Sequence, residues 1–369
     1  MKVGITGQSG FIGYHLTNYL SLKKDEINIV PFKKDFFSDN RLLQEFLLKC
    51  DVIIHLAGMN RGSDEEVYDC NLRLASHLVR SMEECHATPY VIFASSSQEE
   101  RMTSYGRSKK EATNIFIKWA VKNNAKFTSL IIPNVFGPFC KPNYNSVVAT
   151  FCYQLTHNQS TQVEIDAVLR LIYVNDLVEY IYNVMNNPPD NFRVYPQPYT
   201  DFHVSEVLSK LSEFKEVYLK NHIIPVLKGS FDFCLFNTFR SYIDLNHFPV
   251  ESILQSDERG DLVEVVKEKT GGQIFYSFTK PGKTRGNHYH RRKIERFFVM
   301  NGQASIKLRK IGSNQIIEYG LNGDQPSYVD IPLFYTHNIT NIGKTDLLTI
   351  FWTNEFFKKE NPDTYYEVV

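Results

Sequence analysis

The chain carries no net charge: 41 lysines and arginines balance 41 aspartates and glutamates over 369 residues. That balance excludes the broad field that would draw the protein to nucleic acid or an acidic membrane, so any anionic ligand has to be held by local groups. Apolar runs stay short, and none approaches the ~20 residues that cross a bilayer. Met1–Thr6 enters a strand-like run with no basic-apolar leader, so a cytoplasmic protein is expected. Cysteine is sparse and unpaired in pattern: Cys50, Cys70, Cys85, Cys140, Cys152 and Cys234 show no CxxC spacing. They read as reduced, partly buried small residues. No internal repeat or low-complexity tract is present.

What is present falls into two styles. Up to about residue 134, short β-branched runs (Lys2–Thr6, Ile27–Phe32, Val52–Ala57, Tyr90–Ser95, Phe127–Pro133) alternate with helix-period segments such as Phe11–Leu22 and Leu72–Cys85. Such alternation predicts an α/β Rossmann-like domain with a parallel sheet covered on both faces. Regularity weakens from Pro133 to about Tyr242, where a substrate lobe is expected. Beyond Asp257 short strands alternate with glycine- and asparagine-rich turns, from Gly271-Gly272 to Asn341-Ile342-Gly343, which predicts an all-β antiparallel barrel or sandwich. The expected domains are 1–245 and 246–369.

Gly7-x-x-Gly10-x-x-Gly13 follows a strand and opens a helix, so Gly7, Gly10, Phe11, Ile12 and Gly13 are candidates for holding a dinucleotide pyrophosphate. The second strand ends in Lys33 and Lys34 rather than an acidic residue, which suits the 2′-phosphate of NADPH. Tyr105 and Lys109 lie four apart on one helix face. The ammonium is expected to lower the phenol's pKa, and the phenol to protonate a carbonyl oxygen during reduction. Ser97, closing Ser95-Ser96-Ser97, is expected to hold the same oxygen.

With these features, residues 1 to about 242 resemble an extended short-chain dehydrogenase/reductase acting on nucleotide sugars. Asp51-Val52-Ile53-Ile54-His55-Leu56-Ala57-Gly58, Asn71 and Pro133-Asn134-Val135-Phe136-Gly137 match that family. The resemblance implies that Leu56, Ala57, Gly58 and Asn71 serve the cofactor, and that Asn134 and Arg170 serve the substrate. Arg170 would approach the diphosphate, although Leu171 replaces the usual aspartate beside it.

The second half carries a separate constellation. In Gly282-x5-His288-x-His290-x4-Glu295-x6-Gly302, two histidines one residue apart on a strand can reach one ion. His288, His290, Glu295 and a downstream His337 form a three-nitrogen, one-oxygen set suited to zinc, iron, manganese or nickel, with zinc the first expectation. The spacing is similar to the first cupin motif, and Pro332-x-Phe334-x-x-His337-x3-Asn341 to the second, with Phe334 in place of its usual glycine. Asp257-Glu258-Arg259-Gly260-Asp261-Leu262 resembles the first strand of cupins that isomerise or epimerise deoxy-keto sugars. Tyr289, Lys293 and Tyr335 are candidates for the base.

Together the halves, including Lys141–Val147 and Asn361–Tyr365, resemble bifunctional nucleotide-sugar enzymes of capsular polysaccharide synthesis. That resemblance implies a UDP-linked 4-keto-6-deoxy-N-acetylhexosamine substrate, epimerised at C3 by the cupin and reduced at C4 with NADPH. A homodimer is expected by analogy with cupins. Two other readings keep the reductase but make the barrel a structural or sugar-sensing module, or a metal oxygenase.

Overall fold

The computed structural model describes residues 1–252, 254–257, 260–263, 266–268, 272–355 and 360–369. Glu258 and Arg259 of the expected first cupin strand lie outside them. Two compact units emerge: Met1–Thr150 with Val163–Glu206, and Phe151–Gln162 with Val207–Val369. They part upstream of the 245/246 boundary at which the sequence changes style.

In the first unit the β-branched runs form a parallel sheet, because their side chains are buried on both faces. Its strands are β1 (Lys2–Thr6), β2 (Asn28–Val30), β3 (Val52–His55), β4 (Tyr90–Ser96), β5 (Phe127–Ile132) and β8 (Arg193–Val194), in the order β2-β1-β3-β4-β5-β8. Val3, Ile5 and Ile54 pack on helices α1 (Phe11–Ser21) and α6 (Val174–Asn186). Ile53 and Val91 face the other way, onto α2 (Asn40–Leu47), α3 (Asp64–Glu84) and α4 (Ser104–Asn123). A small second sheet joins β6 (Asn134–Phe136), β7 (Val168–Tyr173) and β9 (Thr200–His203). The helix α5 (Val147–Thr156) precedes β7.

From residue 207 the second unit holds most of α7 (Val204–Phe214), then α8 (Gly229–Arg240), and its strands are antiparallel, as the turn spacing predicts, except for one short parallel pair. One five-stranded sheet runs β11-β20-β17-β22-β15 and the other β19-β18-β21-β16-β23. In chain order these are β11 (Val250–Glu251), β15 (Gln273–Thr279), β16 (Thr284–Tyr289), β17 (Glu295–Asn301), β18 (Gln303–Lys310), β19 (Ile316–Asn322), β20 (Ser327–Ile331), β21 (Tyr335–Asn341), β22 (Leu347–Thr353) and β23 (Tyr365–Tyr366). Two short pairs complete it, β10 (Ile223–Ile224) with β14 (Lys267–Glu268) and β12 (Leu254–Asp257) with β13 (Gly260–Val263). Residues 207–245 join this unit through a buried polar knot. Asp330 on β20 takes Arg296 Nε at 2.7 Å and the Tyr218 hydroxyl, and Arg240 donates to the Ile331 carbonyl at 3.0 Å. Among the described residues no helix is long and apolar enough to cross a membrane.

Candidate active site and metal centre

The strand order of the parallel sheet reverses between β1 and β3, the place where open α/β sheets bind ligands. A cleft of about 620 Å³ opens there. Gly7 turns the chain with φ +80°, and a Cβ on Gly13 would stand 2.1 Å from the Gly7 carbonyl oxygen. Only glycine lets the turn close and bring the start of α1 to the cleft, where its free amides can receive an anion. Gly7, Gly10, Phe11, Ile12, Gly13, Leu56 and Gly58 all line it, so the backbone fits a dinucleotide.

Three expected cofactor groups stand differently. The Ala57 amide is tied to Thr6 Oγ1 at 3.3 Å and is not in the lining. Asn71 is buried as a clamp: its side chain accepts from the Met59 amide at 2.7 Å and donates to the Met59 carbonyl and to Ser108 Oγ. It thereby fixes the loop after β3 against α4. Lys33 and Lys34 are exposed at the turn beyond β2.

Thr103 caps α4 through the Gly106 amide at 3.1 Å, and the helix brings Tyr105 and Lys109 to the cleft. Lys109 Nζ lies 5.7 Å from the Tyr105 ring centre and donates to the Ala94 carbonyl at 3.0 Å. The expected lowering of the phenol pKa does not hold here. Burial raises it, against a hydrogen bond from Ser96 that favours the phenolate. Burial also pushes Lys109 down to about 8, opposed by Glu99.

The serine beside the phenol is Ser96. β4 ends at Ser96, which is buried in the cleft lining, whereas Ser97 begins the next turn and is exposed. Three consecutive serines hide that one-residue difference from the sequence. Glu99, also missed, is buried and accepts from Ser95 Oγ at 2.5 Å, Thr113 Oγ1 at 3.1 Å and Arg193 Nε at 3.3 Å.

Asn134 and Arg170 lie together but outside the cleft lining. Asn134 donates to the Arg170 carbonyl at 3.2 Å, and the Arg170 guanidinium grips Asp201 with two bonds of 3.1 Å.

In the second unit His288, His290, Glu295 and His337 come together, their ligand atoms all within 4.8 Å of one another. A bulge after Gly286 sets His288 directly across from His337 on β21. A Cβ on Gly286 would lie 2.7 Å from the His337 carbonyl, so glycine allows this close approach. Phe334, in the motif's glycine position, adopts φ +59°, the conformation that favours glycine.

The donor set fits a cation. His290 Nδ1 donates to the Asp363 carbonyl and His337 Nδ1 to the Tyr335 carbonyl at 3.2 Å. A carbonyl only accepts, so Nδ1 carries a proton, and in the neutral ring each Nε2 presents a lone pair. Those Nε2 atoms approach Glu295 Oε2 at 2.9 and 3.2 Å, and the carboxylate favours the charged form of His290; among the described residues the three buried atoms have no partner beyond one another. Three acceptors facing one point call for a positive ion. Burial, then His337 and His290, push His288 down to about 4, leaving it in the neutral form a metal takes.

Asp363 is the residue sequence reasoning missed here. Beyond its carbonyl, its buried carboxylate accepts the backbone amides of Arg292 at 2.9 Å and Lys293 at 2.8 Å, and approaches that of Arg291 at 3.3 Å. The base candidates Tyr289 and Lys293 are buried and Tyr335 is half-buried; Lys293 Nζ donates to the Pro362 carbonyl at 2.7 Å.

Comparison with known proteins agrees with this two-part build. Residues 3–195 match the NAD dependent epimerase/dehydratase family, and residues 255–365 match the polysaccharide biosynthesis C-terminal domain. The UDP-2-acetamido-2,6-beta-L-arabino-hexul-4-ose reductase of Pseudomonas aeruginosa is 33% identical over 369 residues, 99% of this chain and 98% of that protein. The crystal structure of the capsular polysaccharide assembling protein CapF from Staphylococcus aureus matches with a TM-score of 0.62 at 34% identity, covering 100% of both chains. RMD from Pseudomonas aeruginosa, solved with NADPH, shares the fold alone: TM-score 0.52 at 18% identity, over 58% of this chain and 82% of that one. The chain belongs to the NAD dependent epimerase/dehydratase family and, over its full length, to the family of this reductase and CapF.

Proposed function

We propose that this protein is a bifunctional nucleotide-sugar enzyme of the cytoplasm. It would epimerise C3 of UDP-2-acetamido-2,6-dideoxy-β-L-arabino-hexos-4-ulose in residues 246–369. It would then reduce C4 in residues 1–245, giving UDP-2-acetamido-2,6-dideoxy-β-L-talose, a precursor of N-acetyl-L-fucosamine in capsule or O-antigen. The observation that carries the reading is the pairing, in one chain, of the Ser96–Tyr105–Lys109 cleft with the four-residue donor set at His290. The full-length likeness to a reductase named for such a 4-keto sugar supports the substrate class.

NADPH would lie along Gly7–Gly13, with Lys33 and Lys34 near its 2′-phosphate, and supplies the reducing equivalent for C4. Tyr105 then gives its proton to the C4 oxygen, which Ser96 holds by hydrogen bond. Lys109, fixed by Ala94, keeps a positive charge beside both. His288, His290, Glu295 and His337 would hold a divalent ion, zinc first, that supplies Lewis acidity to the C4 ketone. The C3 proton is acidic only while C4 is a ketone, so epimerisation comes first and reduction draws it forward. Exposed Ile274, Tyr276 and Phe278 on the edge strand β15 would support pairing into a homodimer.

The test is to incubate the protein with the 4-keto sugar in D2O without NADPH and follow the C3 proton by NMR. Its loss, abolished by His290→Ala or by chelation but kept in Tyr105→Phe, is the expected result. A retained C3 proton in metal-replete protein would leave a reductase with a structural or sugar-sensing barrel.

A further inference from the structure

The cleft has a lining that neither the glycine turn nor Tyr105 accounts for, the segment from Phe139 to Ser146. Its two ends are fastened to different elements. At one end the Pro138 carbonyl accepts from His15 Nε2 at 2.8 Å, and the Phe139 ring packs edge-on against Tyr14 of α1, 5.6 Å between centres. At the other the Asn143 carbonyl accepts from Arg61 at 2.5 Å, and its amide donates to Thr150 Oγ1 at 3.0 Å.

Two cations converge on the ring this segment presents. The Arg61 guanidinium lies 5.6 Å from the centre of Tyr144, and Lys141 Nζ lies 5.2 Å from it. Both side chains are exposed, and among the described residues neither has an ion-pair partner. Arg170 is the contrast: Asp201 already neutralises it. In a chain with no net charge, two cations that both contact one aromatic ring beside a ligand cleft make a local place for an anion.

We propose that Arg61, Lys141 and Tyr144 form the subsite for the diphosphate of the nucleotide sugar, an inference that rests on the function proposed above. A guanidinium offers its fork of donors to one phosphoryl group and an ammonium its point charge to the other. The Tyr144 ring, which both contact, ties the two cations to one segment. The Arg61 bond to Asn143 makes loop position and anion binding one device.

The cofactor also carries a diphosphate, so the test separates the two. Full-length protein is titrated calorimetrically with UDP, uridine and NADPH, in wild type and in Lys141→Met, Arg61→Met, Arg61→Lys and Arg170→Met. The UDP Kd is expected to rise roughly tenfold or more in Lys141→Met and Arg61→Met. Uridine and NADPH affinities should stay at wild-type values, which also shows that each variant is folded. Arg61→Lys should recover part of the loss, and Arg170→Met should bind UDP normally. Unchanged UDP affinity in the Lys141 and Arg61 variants overturns the proposal, as does a loss confined to Arg170→Met. Weakened NADPH with intact UDP binding would assign the cations to the cofactor and overturn it equally. Wild-type protein that binds NADPH but not UDP would remove the nucleotide-sugar reading itself, and this subsite with it.

Discussion

Asp363 holds the His290 ring with its main-chain carbonyl and the backbone after that ring with its carboxylate. One residue near the C-terminus therefore sets both the protonated nitrogen of a member of the four-residue donor set and the path of the loop that follows. Asp363→Ala keeps the carbonyl that holds the ring but leaves the buried amides of residues 291–293 without their acceptor, so the backbone after His290 loses its anchor and the ring is loosened through it. We expect metal affinity to fall about 10- to 100-fold, read by competition with a chromophoric chelator, with NADPH affinity unchanged. Equal metal retention in the variant would reduce Asp363 to a tether for the chain end.

Ser96 and Ser97 offer the same hydroxyl one residue apart, but Ser96 is buried in the cleft lining with Tyr105 and Ser97 is exposed. Removing a donor aimed at the reacting oxygen costs about 10²- to 10³-fold in kcat, so Ser96→Ala should lose that much 4-keto reduction. Ser97→Ala should stay within about twofold, since an exposed side chain away from such features contributes little. Steady-state kinetics at saturating NADPH decide between them, and the reverse order of losses would return the role to Ser97.

The two serines mark the limit of what the sequence makes legible. Parallel strands declare themselves because Val52–His55 must be apolar on both faces, and the glycine turn because Gly13 tolerates no side chain. The grouping of His288, His290, Glu295 and His337 is equally plain, since the four follow a fixed spacing. What needs coordinates is set by long-range contact. Asp363 acts on residues some 70 positions earlier, and the Tyr105 pKa depends on burial that no local pattern reports. A local signal was also available and unread: α3 begins at Asp64 rather than near Leu72, behind a capping box in which Ser63 and Glu66 exchange hydrogen bonds.

Lys109 should make activity and stability respond oppositely to pH. Burial disfavours the charged form and pushes the lysine's pKa in the folded chain down to about 8, below the ordinary 10.5. Below pH 8 the lysine is charged in both folded and unfolded chains, and the cost of burying that charge is fully present. Between about pH 8 and 10.5 the unfolded chain binds the extra proton, so stability rises with pH across that window. Activity that depends on the ammonium should fall over the same window, tenfold per unit. The Tyr105 phenol, raised by burial, stays protonated through the early part of this decline. Urea unfolding at about pH 7.5 and 9.5 should show wild type gaining stability while Lys109→Met does not. A flat wild-type response would mean that the buried lysine has an ordinary pKa.

Arg296 and Asp330 form an ion pair almost wholly out of water, 2% and 1% exposed, with two hydrogen bonds of 2.7 and 3.0 Å. Burial works to raise the Asp330 pKa, yet the charge of Arg296 and its hydrogen bonds hold it below the usual value. Such a pair adds little over an apolar one, but removing one partner strands the other and costs about 3–5 kcal/mol. Asp330→Ala should therefore be destabilised by about that much, and Arg296→Met with Asp330→Leu should recover much of the loss. The carboxylate also receives the Tyr218 hydroxyl, and the next carbonyl receives Arg240. Both donors belong to residues 207–245, so the Asp330→Ala loss should unfold that segment and the antiparallel sheets in one transition. Hydrogen exchange followed by peptide mass spectrometry can check this. Protection lost from the strands alone, with 207–245 still protected, would show that the knot does not couple the two.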